Sequence, residues 1–319
     1  MFSTETAKPQ ARPPLMQANS LTPPVDDFPT RLASVAEQVE ATLASILPKP
    51  EGHQSVIMEA MRYAALGGGK RLRPFLMVET ARMLGHTDKG VHIAAAALEC
   101  LHVYSLVHDD LPCMDDDDLR RGKPTVHRAY DEALAVLAGD GLLTHSFELL
   151  ARGDVHPDPT VRLDLIAGLA KAGGAHGMIG GQVIDISVLE SDRDEALITK
   201  LQDLKTGALI EYAVTAGATL AGASTEHHTA LQNYARDMGL AFQIKDDILD
   251  VEGDAETLGK AVGKDENLGK ATFVSILGLE GARDKAAKLG DMAKRHLEPF
   301  GKNAQTLCDT VDFVLHRSH

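Results

Sequence analysis

From Phe28 onward, apolar positions recur at three- and four-residue intervals, while the strict alternation of a half-buried strand is scarce. That period predicts helices over residues 30–46, 54–65, 72–84, 89–111, 126–137, 140–152, 158–173, 176–188, 194–220, 226–250, 271–295 and 302–316. Ala, Leu, Glu and Lys, all strong helix formers, fill them. Glycines at 67–69, 85, 139 and 141, 173–174 and 180–181 are expected to punctuate the series. The stretch His92 to Asp109 is apolar around its whole circumference, which places it inside a larger helical assembly and not on a surface. Pro112 disfavours helical geometry at Leu111, so this buried helix ends there. The fold class is therefore all-α, with no repeat of fixed period.

At 319 residues the chain could make two average domains, but no Gly/Ser-rich linker or shift in composition divides it, so one large domain over residues 30–319 is equally allowed. Residues 1–29 carry six prolines and few large apolar side chains and are expected to form a disordered arm. A hydrophobic share of 44% supports a substantial core. The net charge of -14 disfavours nucleic acid, which is bound through positive fields. Cys100, Cys113 and Cys308 show neither pairing nor metal-ligand spacing, which suits a reducing compartment. The N-terminus has no apolar secretory core, and no apolar run approaches bilayer length, so a cytoplasmic protein is expected.

Charge changes the picture in two places. Asp109 and Asp110 with Asp115 to Asp118 form one acidic cluster, and Asp246, Asp247 and Asp250 form another. An acidic run is most often solvated surface. Here each cluster is embedded in apolar helical sequence, and Asp109 and Asp110 fall at a helix C-terminus, where the dipole is unfavourable to carboxylates. A cation offsets that cost. Asp246 and Asp250, four residues apart, share one helix face, ~40° apart. Such carboxylates suit Mg2+, a hard ion that keeps water and accepts phosphate oxygens. Zn2+ lacks its His and Cys ligands here, and an EF-hand counted from Asp115 fails, with Arg120 where Gly is needed and Val126 where Glu is needed. Glycines 67–69 lack the strand context of a nucleotide-binding loop. Cations lie close by: Lys70, Arg71 and Arg73, Arg120, Arg121 and Lys123, then Lys205, Lys245, Lys260 and Lys264. Each alone is a typical surface charge, but Lys70 with Arg73 and Arg120 with Arg121 provide forked or mobile donors for phosphate.

The segment from Asp109 to His127 resembles the first Asp-rich motif of trans-polyprenyl diphosphate synthases, and Asp246 to Asp250 resembles the second. Gly68 to Pro74, Gly180 to Gln182, Lys205-Thr206, Phe242-Gln243, Gly259-Lys260 and Gly263 to Asp265 follow in that family's order, so the resemblance covers about residues 30–319. It implies an isoprenoid-synthase-type helical bundle around a deep central cavity, a homodimer, and Mg2+ as cofactor, three per site with Mn2+ as a substitute. Asp109, Asp115 and Asp246 would be metal ligands, supported by Asp110 and Asp250. Arg120, Lys205, Thr206, Gln243 and Lys260 would hold an allylic diphosphate, and Lys70, Arg73, His102 and Arg121 isopentenyl diphosphate. His102 also reads as an ordinary core histidine. Arg317 near the end is similar to the basic tails of relatives that approach the homoallylic diphosphate.

Tyr104 and Ser105 bear on product length. Five residues before Asp109 on one helix, Tyr104 lies ~7.5 Å deeper, where a bulky ring stops a growing prenyl tail. An aromatic there, with Pro112-Cys113 lengthening the first motif, resembles the bacterial type of farnesyl diphosphate synthase and implies a C15 product. A geranylgeranyl or longer-chain synthase differs only in cavity depth. A non-catalytic subunit has no physical reason to maintain the Asp motifs, and a terpene cyclase none to maintain Lys70, Arg73 and Arg121.

Overall fold

The computed structural model describes residues 27–188, 194–257 and 272–317. Helices dominate: α1 Phe28–Ile46, α2 Ser55–Ala65, α3 Leu72–Met83, α4 Lys89–Asp109, α5 Val126–Ala129, α6 Glu132–Ala151, α7 Pro159–Gly173, α8 Met178–Ser187 and α9 Glu195–Gln202. A π-helical turn, Asp203–Gly207, leads into α10 Ala208–Leu220. Then come α11 Thr225–Thr257, α12 Phe273–His296, a 3-10 segment Glu298–Ala304 and α13 Gln305–His316. Among the described residues the only strands are the two-residue pair β1 Leu119–Arg120 and β2 Lys123–Pro124, antiparallel.

Side-chain caps fix where several helices begin. Asp27, Asp131, Asp158 and Asp194 each accept a hydrogen bond from a backbone N–H in the first turn that follows. Thr272 and Ser275 cap α12 reciprocally. The arm expected at residues 1–29 therefore gives way to α1 at Phe28, and its first 26 residues lie outside the described ones.

α4 sits at the centre, packed against α1, α2, α3, α6 and α10. Its Ala94 to Leu98 run is fully buried, as apolarity on all faces requires. A second, smaller cluster joins Ile198, Ile244, Ile248 and Phe273 between α9, α11 and α12. The buried hydroxyls of Tyr212 and Tyr234 donate to the carbonyls of Leu165 and Leu307, so these large rings sit in the core without an orphaned donor.

Four expectations need correction. The break at Gly139 and Gly141 does not occur; the chain turns instead at Tyr130, and α6 runs through both glycines. Their role is close approach: a Cβ on Gly139 would lie 2.1 Å from the His108 ring, and one on Gly141 2.8 Å from the Met61 sulfur. The helix expected over 194–220 contains the π turn. The last helix, expected from 302, opens at Gln305 after the 3-10 segment. Finally, α4 and α6 are each long and apolar enough to cross a membrane, contrary to the expectation that no run approaches that length. Burial explains the apolarity of α4, whose apolar window is 72% buried, whereas α6 is 44% buried and leaves Val136 and Leu137 exposed.

Candidate active site

α4 delivers its last residue, Asp109, to a cavity, and its cap, Asp110, to a small pocket beside it. Leu111 to Met114 then turn tightly: the N–H of Met114 donates to the Leu111 carbonyl, and that of Asp115 reaches back to the Asp109 carbonyl at 2.8 Å. Asp116 takes a left-handed φ of 51° in this turn. The backbone thus folds Asp115 back beside Asp109, with the Asp115 side chain in solvent.

The cavity has a volume of about 520 Å³. Asp109, Gln182, Lys205 and Thr206 form its polar end, and Tyr104, His108, Met178, Val183 and Leu209 line the rest. The π turn supplies the polar wall opposite α4. Its extra residue per turn bulges Lys205 and Thr206 out of the helix line, a distortion that recurs at functional sites. Lys205 Nζ is 2.6 Å from Asp185 Oδ2 on α8, and Gln182 Nε2 donates to Asp109 Oδ1 at 2.9 Å. Gly181 lets α8 approach the π turn: a Cβ there would lie 2.3 Å from the Lys205 backbone nitrogen. Gly181→Ala is therefore expected to destabilise the fold by about 1–3 kcal/mol and to cut turnover by displacing Lys205. Urea unfolding and a steady-state assay together check this.

The second acidic cluster lies on α11, joined to the first through the π turn. Thr206 Oγ1 donates to Gln243 Oε1 at 3.1 Å, and Gln243 Nε2 donates to Asp246 Oδ2 at 3.3 Å. Asp246 Oδ1 receives Arg317 at 2.6 Å, while that guanidinium stacks 4.0 Å from the Phe242 ring centroid. Asp250 follows one turn later and is exposed. Asp247 points elsewhere, accepting the Phe273 N–H at the start of α12.

The cationic side is built from the loop before α3 and from the small hairpin. Arg71 is 3% exposed with φ 48° and ties three helices together through Glu40, the Ala65 carbonyl and Glu99. That anchor sets Lys70 and Arg73 on either side of it. Arg73 NH1 is 3.3 Å from His102 Nε2, and burial followed by the charges of Arg73 and Arg121 holds His102 well below its ordinary pKa. The ring is therefore neutral and accepts from Arg73. Arg121 donates to the Gly68 carbonyl and lies across Gly69, where a Cβ would meet its guanidinium carbon at 2.5 Å. Arg120 grips buried Asp110 with Nε at 2.7 Å and a second nitrogen at 2.6 Å. Ser105 Oγ donates to the His102 carbonyl, beside Tyr104, which is 6% exposed.

Of the residues singled out from sequence, Asp109, Tyr104, Ser105, His102, Arg73, Lys205 and Thr206 line this one cavity. Gln243 and Asp246 join it through hydrogen bonds, Asp110, Arg120 and Arg121 line a small pocket beside it, and Lys260 lies outside the described residues. Sequence reasoning left out Asp185, the partner of Lys205, and gave Gln182 no role although it stands in a quoted motif. Arg71 figured only as one of a cationic patch.

The donors suit a hard divalent cation. Burial above all, opposed by Lys205 and assisted by Asp115, pushes the Asp109 carboxyl up to about 6, and burial also raises Asp246 despite Arg317. In both, the cost of burying the charge outweighs the neighbouring cations. Among the described residues no three His, Cys, Asp or Glu side chains converge on one point. The carboxylates therefore offer Mg2+ a partial oxygen shell, which water and phosphate oxygens complete.

Comparison with known proteins gives the same picture. The polyprenyl synthetase family model matches residues 54–307. The chain is 43% identical to a farnesyl diphosphate synthase of Geobacillus stearothermophilus, over 89% of this chain and 95% of that one. It is 41% identical to a chloroplastic geranylgeranyl pyrophosphate synthase of Capsicum annuum, over 92% of this chain and 79% of the relative. An FPP/GFPP synthase structure from Zymomonas mobilis superposes with a TM-score of 0.81 at 45% identity, covering 91% of this chain and 99% of that one. With the helical cavity, the carboxylates on α4 and α11 and these likenesses together, the chain belongs to the polyprenyl synthetase family.

Proposed function

We propose that this protein is a Mg2+-dependent farnesyl diphosphate synthase, condensing isopentenyl diphosphate head to tail with dimethylallyl and then geranyl diphosphate. The observation that carries this reading is one cavity lined by Asp109, Lys205 and Thr206 together with Tyr104, Met178, Val183 and Leu209. An allylic diphosphate fits with its phosphates at the polar end and its tail toward the Tyr104 ring.

When bound, Mg2+ supplies charge neutralisation at the departing diphosphate. Asp109, Asp115 and Asp246 would hold it, with Asp110 and Asp250 in support. Lys205, Thr206, Gln243, Arg120 and Lys260 would orient the allylic diphosphate, their charge being worth most as the leaving oxygens gain charge. Lys70, Arg73, His102 and Arg121 would hold isopentenyl diphosphate, whose double bond attacks the allylic carbon. The proton then lost goes to the released diphosphate, an anion that remains beside the condensing carbons. The apolar lining of Met178, Val183 and Leu209 offers water no hydrogen-bond partner beside the cationic carbon. Lys205 and Arg120 are already paired with Asp185 and Asp110, so phosphate binding exchanges one anionic partner for another. Exposed Leu137 on apolar α6 supports a homodimer through this face.

The test is incubation of the purified protein with Mg2+, isopentenyl diphosphate and geranyl diphosphate, followed by chromatography of the dephosphorylated products. Farnesol as the main alcohol is expected; no consumption of isopentenyl diphosphate would overturn the reading. Tyr104→Ala is expected to shift the products from C15 to C20 and beyond. An unchanged chain length removes Tyr104 from the floor, and a wild-type C20 product favours the geranylgeranyl alternative that the Capsicum annuum relative represents.

A further inference from the structure

We infer that His108 is a positioning residue for product length: keyed into α6 at Gly139, its imidazole holds the Tyr104 ring across the cavity. The inference rests on the proposed role of Tyr104 as the cavity floor and adds what fixes that floor in place. His108 follows Tyr104 by one helical turn, and the two rings meet edge to face, centroids 5.5 Å apart at 88°. Both line the cavity.

Two contacts with the neighbouring helix fix the imidazole. Its Nε2 is 3.0 Å from the Val136 carbonyl oxygen. A carbonyl only accepts, so Nε2 carries the proton and donates, which sets the tautomer and the ring plane. The same ring fills the space above Gly139, where a Cβ would fall 2.1 Å from Nε2 and 2.4 Å from Cδ2. Glycine at 139 thus serves as a slot for the imidazole within an unbroken helix. With His108 seated there, the Tyr104 ring is held between its own helix and the imidazole; without it, the ring can turn aside and open the path it closes. The sequence gives no hint of this, because His108 reads only as the residue before the first Asp motif.

The experiment compares products of wild type, His108→Ala, His108→Asn and Tyr104→Ala under one set of substrates. Losing the perpendicular ring partner should raise the C20 to C15 ratio about two- to tenfold. His108→Asn can retain a donor to the Val136 carbonyl while lacking the ring, so it should also lengthen the product and decides the matter if His108→Ala fails to fold. Gly139→Ala should lower the melting temperature, and adding His108→Ala should recover much of that loss by removing the clash. A wild-type product profile in the His108 variants, with Tyr104→Ala lengthening it, overturns the inference and leaves the floor intact. A higher Mg2+ half-saturation with unchanged products would also overturn it, since His108 would then act through neighbouring Asp109. If Tyr104→Ala makes only C15, the floor reading itself fails.

Discussion

Asp109→Asn should abolish turnover, by about 10³-fold or more, while making the metal-free protein more stable at neutral pH. The loss follows from removing a charged ligand at the cavity mouth. The gain follows from linkage. The folded protein holds the Asp109 proton up to about pH 6, against 3.8 for a free side chain. Between those values the folded state binds more protons than the unfolded one, so this group lowers stability progressively as pH rises from about 4 to about 6. Above that window the penalty is complete, at most about 3 kcal/mol and nearer 1–2 after solvent screening. Asn removes it at pH 7 and changes little at pH 4. Thermal melts of both proteins at the two pH values check the sign. Equal melting temperatures at pH 7 would show that Asp109 is not strained there. The same ionisation predicts that Mg2+ affinity falls as pH drops below about 6, because the protonated carboxyl is a poor ligand.

Arg71→Met should have the largest effect on folding itself. The guanidinium is buried and satisfies Glu99, which is 2% exposed, together with Glu40 and the Ala65 carbonyl. Removing it strands the Glu99 charge inside the protein, a change that costs about 3–5 kcal/mol. Because Arg71 anchors the loop between α2 and α3, the surviving enzyme should also show a raised KM for isopentenyl diphosphate. Adding Glu99→Gln should return part of the stability by removing the stranded charge. Urea unfolding of the single and double variants measures both effects. A loss below about 1 kcal/mol would mean that water reaches Glu99 in the variant.

Much of the bundle could be seen in local pattern, and the particular helices show why. α4 was legible because an apolar circumference admits only burial, and its end because Pro112 forbids continuation. The start of α6 was misplaced because glycine pairs usually break helices, whereas Gly139 and Gly141 answer to His108 and Met61 on other helices. Local period carries no record of such partners. The same limit applied at the site. Motif order brought Asp109, Lys205, Thr206 and Asp246 into one candidate group, but no spacing rule could pair Lys205 with Asp185 or Asp246 with Arg317. The π turn left no trace either, since Asp203 to Gly207 keep the apolar period of the helices around them.

Those pairings also explain how so many charges coexist without substrate. Asp110 with Arg120, Asp185 with Lys205 and Asp246 with Arg317 keep cations and anions matched across the mouth. Each pair is only partly buried, so exchanging its partner for a metal or a phosphate costs far less than opening a pair such as Arg71 with Glu99.

The most direct test of the two acidic walls is a crystal grown with Mn2+ and a bisphosphonate, with the metal located by anomalous scattering. Metal is expected within coordination distance of Asp109 and Asp115 on one side and Asp246 on the other, with the bisphosphonate between them and Arg317 displaced. Metal bound elsewhere, or an Asp246 that stays paired with Arg317 while the bisphosphonate sits in the cavity, would contradict this arrangement.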